Sequence, residues 1–115
     1  MEYKYISMGR TSLENFKSYL ENIEYPKFKT SWDISGSIKG HNAFYKFDTS
    51  PICKFKKGIG KLISPTSKAD KIVFENDKNW LILDIEEIRN YGSKKSVVSI
   101  DDLLSKLEWN IILLK

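Results

Sequence analysis

The stretch Lys71–Ile85, KIVFENDKNWLILDI, constrains the fold more than any other. Ile72, Val73 and Phe74 come first, and Trp80, Leu81, Ile82 and Leu83 follow a polar break of Glu75, Asn76, Asp77, Lys78 and Asn79. β-branched and aromatic side chains suit a pleated, packed surface, and Asn and Asp accept turn conformations. The pattern predicts a β-hairpin with a loop of about four or five residues. No polar residue interrupts Trp80–Leu83, so that strand is expected to be covered on both faces and therefore central. The rest of the chain has to pack on it.

The 115 residues suit one domain, 1–115. Hydrophobic residues at 41% supply a core, and charged residues at 30% do not point to disorder. Met1 leads into Glu2-Tyr3-Lys4-Tyr5, with no apolar segment of a signal peptide behind it. No apolar run approaches the roughly 18 residues of a membrane span. Cys53 is the only cysteine, which excludes an internal disulfide and zinc-type spacing. A cytoplasmic protein is expected, with no membrane contact, cofactor or metal. The net charge is +4 and unevenly spread. Lys39–Lys71 holds eight lysines against Asp48 and Asp70, whereas Lys71–Lys115 holds seven basic and eight acidic residues. Of the basic residues 17 are Lys and 2 are Arg. Lysine lacks the planar fork that reads guanine or clamps phosphate, which argues against sequence-specific nucleic-acid reading.

In chain order, Glu2–Ile6 alternates as a short strand would. Thr11-Ser12-Leu13-Glu14 matches a capping box, and Leu13, Phe16, Tyr19, Leu20 and Ile23 recur at helical spacing, predicting a helix over about Ser12–Ile23. Phe28, Thr30, Trp32 and Ile34 alternate with polar residues, as in a half-buried strand. Turns are expected at Ser35-Gly36-Ser37 and Lys39-Gly40-His41-Asn42, strands at Ala43–Phe47 and Ile52–Lys56, a bend at Gly58-Ile59-Gly60 and a loop at Ser64–Ser67. Asp84–Gly92 starts as strand and ends as a helical turn, and Val97-Val98 centres another short strand. Ser99 caps a second helix with the stripe Ile100, Leu103, Leu104 and Leu107. Trp109–Leu114 reads as a buried strand. The fold class is α+β: an antiparallel sheet of five to seven strands with two helices packed on it.

Chemistry-bearing motifs are few. Gly58-Ile59-Gly60-Lys61 has Phe55 and Leu62 where a phosphate loop needs Gly and Ser or Thr, so it reads as a glycine bend. His41 and Cys53, twelve residues apart, lack a third residue to orient them as a nucleophilic pair. Asp84, Glu86, Glu87, Asp101 and Asp102 cluster in sequence. They suit a solvated acidic surface or a protein-binding patch, with Tyr91 and Trp109 as aromatic anchors. Asp84 and Glu86 would share a strand face. Tyr45-Lys46-Phe47 and Lys54-Phe55-Lys56, with Lys57 and Lys61, interleave aromatic and basic residues. A single-strand nucleic-acid platform needs them on one face, whereas a half-buried strand places them on opposite faces.

The segments DKIVFENDKNWLILDIEEI and SIDDLLSKLEWNIILL resemble small immunity proteins of bacterial contact-dependent growth inhibition systems. The resemblance implies a non-enzymatic inhibitor that neutralises a cognate toxin, a nuclease for instance, by tight protein–protein binding. Two alternatives stand beside it: a small basic nucleic-acid-binding module using Lys54, Lys56, Lys57 and Lys61, and a small nuclease using the carboxylates with Lys61 or Lys94.

Overall fold

The structure is a computed structural model and describes residues 8–27, 31–51, 58 and 62–115. Helix α1 (Met8–Lys17) leads into strands β1 (Leu20–Glu24), β2 (Ile34–Ile38) and β3 (Phe44–Pro51). Then come β4 (Lys71–Glu75), β5 (Asn79–Asp84), helices α2 (Ile85–Gly92) and α3 (Ile100–Lys106), and β6 (Asn110–Leu114). The six strands lie side by side in chain order, and every neighbouring pair is antiparallel except β3 with β4. The fold is α+β as the sequence predicts, but the sheet is mixed. A purely antiparallel sheet fails at one joint, where β4 runs beside β3 in parallel. Three described helices replace the two expected.

The predicted hairpin is present, with a connection of the expected length. Lys71 pairs with Asp84 and Glu75 with Trp80, leaving Asn76, Asp77, Lys78 and Asn79 between the last paired residues. The Asn76 N–H donates to the Asn79 carbonyl at 2.9 Å, and the Asp77 N–H to the Asn76 side chain at 3.0 Å. β5 lies between β4 and β6. Successive side chains on a strand point to opposite faces. Val73, Trp80 and Ile82 therefore join Phe16, Leu20, Ile34, Ile38 and Phe47 in one cluster, under α1. Ile72, Phe74, Leu81 and Leu83 join Ile85, Ile88, Ile100, Leu103 and Leu107 in the other, under α2 and α3. Trp80–Leu83 has no polar residue because both of its faces are covered.

Several expectations are corrected. Helix α1 begins before the Thr11 box, which lies inside it, and ends at Lys17 rather than Ile23. The Tyr19 N–H bonds back to Phe16, and the chain then reverses into β1, where Asn22 takes φ 57° at a break in register between Glu21 and Glu24. Asn tolerates that left-handed conformation. Leu20 still meets Phe16, so the spacing reported a shared core and not a continuous helix. Trp32 and Asp33 lie outside any strand. Ser35-Gly36-Ser37 is not a turn but the buried middle of β2. A Cβ on Gly36 would stand 3.0 Å from the Glu21 carbonyl oxygen, so the small residues serve the close approach of β1. The Lys39–Asn42 turn is present, with Gly40 at φ 86° and the His41 N–H bonded to the Ile38 carbonyl at 2.8 Å. The strand expected to end at Phe47 continues to Pro51. Val98 is buried and makes only an isolated bridge, while Val97 is exposed, so no strand forms there. Among the described residues β6 is an edge strand of alternating exposure, not a buried one. The features expected at Glu2–Ile6, Phe28–Thr30, Ile52–Lys56 and Ile59–Lys61 lie outside the described residues.

Candidate functional site

The end of β5 gathers the chemistry. Asp84 does not continue the strand with Glu86. It caps α2, its carboxylate accepting the Glu87 N–H at 3.0 Å, and Glu86 sits exposed in the first helical turn. The other carboxylate oxygen of Asp84 lies 2.7 Å from the Lys71 ammonium. Lys71 is buried, its Nζ 3.6 Å from the centre of the Trp109 ring and 4.8 Å from that of Tyr45. A cation over two aromatic faces with a carboxylate beside it is a mutually supporting set.

Glu87 extends the cluster. Its Oε1 accepts the N–H of Glu108 at 2.9 Å and of Trp109 at 3.3 Å, tying the start of α2 to the turn before β6. Next to these residues lies a surface depression of about 400 Å³, lined by Asp70, Asp84, Ile85, Glu86, Arg89 and Asn90 among others. The Arg89 guanidinium is engaged elsewhere, donating to the Ser64 and Ser67 carbonyls at 3.1 and 3.3 Å. Among the described residues, Asp70, Glu86 and Glu108 form no ion pair. The face is therefore locally acidic on a chain whose net charge is positive.

Thus Asp84, Glu86, Glu87 and Trp109 come together. Asp101 and Asp102 do not join them. They sit in the first turn of α3, and Asp102 closes a capping box with Ser99, whereas Glu108 and Trp109 follow that helix's other end. Tyr91 packs against the cluster under α2 and α3, and Trp109 against the one on the opposite sheet face. They cannot anchor one flat patch together. Sequence reasoning missed Asp70, Lys71, Tyr45 and Glu108. The hairpin supplied a signal for Asp70 and Lys71: four residues between Glu75 and Trp80 set Lys71 opposite Asp84, with Asp70 next in line.

A second polar pocket, about 260 Å³, holds Asp33 and Asp48. Asp33 accepts the Thr49 N–H at 2.8 Å. Burial pushes the Asp48 carboxyl above its usual range; a hydrogen bond from Ser67 opposes that, and Asp33 adds to it. Both carboxylates thus have bonding partners within the fold. Among the described residues no group of His, Cys, Asp and Glu is arranged to hold a metal ion, and no helix is long and apolar enough to cross a membrane.

Of the basic candidates, Lys54, Lys56, Lys57 and Lys61 lie outside the described residues. At Tyr45-Lys46-Phe47 the two aromatics pack into the cluster under α1, while Lys46 turns to the other face, its Nζ 4.8 Å from the Trp32 ring centre. That is the opposite-face arrangement of a half-buried strand. No protein-family model, curated protein or solved structure matches the chain.

Proposed function

We propose that this protein is a non-enzymatic inhibitor that binds a basic protein partner through the acidic face at the start of α2. The partner class is a cognate bacterial toxin, of nuclease type, met in the cytoplasm. The observation that carries the reading is the depression beside Asp84. There, among the described residues, Asp70 and Glu86 form no ion pair and the lining Arg89 spends its guanidinium on the Ser64 and Ser67 carbonyls, while Glu87 ties exposed Glu108 and half-buried Trp109 to the same helix start. A nuclease presents a basic substrate cleft, and complementary potential speeds association and fixes orientation. Trp109 is held rigid by Lys71 and Glu87, and a rigid aromatic is the kind of side chain that anchors an interface. Asp84, between the depression and Lys71, is engaged in capping α2 and in pairing, a structural use that favours binding over catalysis.

The test is a pull-down from source cells, with and without nuclease treatment, using the wild type and a Glu86→Lys/Glu108→Lys variant. A protein retained through nuclease treatment and released by the double reversal is expected. Recovery of nucleic acid alone, or retention indifferent to the reversal, overturns the reading. Pure protein incubated with RNA and DNA, with and without magnesium, should leave both intact. Degradation abolished by Asp84→Asn would make it an enzyme instead.

A further inference from the structure

We propose that β6 is a self-pairing edge through which two copies of this chain join into one continuous sheet. Among the described residues β6 is the outermost strand beyond β5, and it carries no charge over its five residues, NIILL. Natural edge strands are normally protected by charge, proline or a bulge. Ile112 is 53% exposed and Leu114 is 73% exposed.

The backbone geometry sets the register in which a second copy fits. The Lys115 N–H bonds to the Lys78 carbonyl, towards β5. Backbone groups alternate along a strand, so those of Leu113 and Ile111 also face β5. Asn110, Ile112 and Leu114 then direct their N–H and C=O groups outwards. A two-fold axis through Ile112, perpendicular to the sheet, sets Ile112 against its own mate and Asn110 against Leu114 of the second copy. Every outward group meets an outward group, giving up to about six new ladder bonds. The side chains agree. On one face Ile112 and Leu114 of both copies form an apolar group, and on the other Ile111 lies opposite Leu113, extending a cluster these residues already line. At each end Lys115, paired with Glu75 of its own chain, comes opposite Trp109 of the second copy. An isologous interface has to be self-complementary in this way.

The experiment is sedimentation of the full chain over a range of concentrations, with Ile112→Lys and Ile112→Cys variants. The wild type should run at twice the 13.4 kDa of one chain and dissociate on dilution. Ile112→Lys places two like charges at the axis and should be monomeric, with an unchanged circular dichroism spectrum because the side chain is already exposed. In a Cys53→Ser background, Ile112→Cys should cross-link to its mate under mild oxidation, since residues paired across such a ladder stand about 5.5 Å apart at Cα. Ile111→Cys, whose counterpart is Leu113, should cross-link far less. A wild type monomeric at every concentration, as expected if a foreign strand occupies this edge, overturns the proposal. So does a dimer that survives Ile112→Lys.

Discussion

Lys71 shows how one buried charge organises its surroundings. Its side chain is 9% exposed, and its partners are a carboxylate and two rings. Removing one member of a buried pair strands the other, at a cost of about 3–5 kcal/mol for a fully buried pair. Asp84 keeps some solvent contact, so Lys71→Ala should cost somewhat less, about 2–4 kcal/mol by chemical denaturation. Asp84→Asn keeps a competent N-cap, so a double-mutant cycle between the two positions isolates the pair. A coupling near zero would mean that the rings alone hold the lysine. Glu75 gives a pH-dependent counterpart. Burial pushes its carboxyl up, but Lys115 at 2.8 Å, Ser12 at 2.6 Å and Asn15 together outweigh that and hold it below its ordinary 4.5. A depressed carboxylate stabilises the fold above the ordinary value, and that contribution fades as pH falls through the lower folded-state value. Thermal melts of Glu75→Gln against wild type should therefore differ at neutral pH and converge in acid.

At the scale of elements, β5 carries the largest single dependence. Leu81 and Leu83 sit in the cluster under α2 and α3, and cutting either to Ala should cost about 2–5 kcal/mol. A loss well under about 1 kcal/mol in urea would place the centre of the fold elsewhere. The hairpin was legible because apolar runs, turn residues and length all pointed one way. Ser99 was legible because its cap is local chemistry, completed by Asp102 three residues on. What was not legible depended on contacts distant in sequence. Gly36 reads as a turn until β1 is known to lie against it. Leu20 reads as helix until the chain reverses at Tyr19. β6 reads as buried because its apolar content says nothing of which of its faces is covered. The candidate site divided in the same way. Asp84 with Glu86 and Glu87 came from local order, while Trp109 joined them only through Lys71 and Glu87, and Asp101 with Asp102 stayed at the far end of α3.

The whole molecule sets a contest between its net charge and its acidic face. The chain carries +4, which repels a basic partner, while Asp70 and Glu86 in the depression, with Glu108 held to the same helix start by Glu87, attract it locally. The molecule measures 38 × 36 × 29 Å. At about 0.1 M salt the Debye length is roughly 10 Å, so a partner approaching the face feels that face and little of the charge beyond it. At about 0.01 M the Debye length is roughly 30 Å, comparable to the molecule, and the net charge reaches the partner too. The association rate should therefore rise and then fall as salt increases, peaking between those limits, while dissociation changes little. Glu86→Lys/Glu108→Lys removes the local attraction, and its association rate should climb steadily with salt as repulsion is screened. Stopped-flow mixing with the recovered partner over a salt series reads both curves. A wild-type rate that climbs steadily as well would show a positive surface meeting the partner, and the acidic face at α2 would have to be abandoned.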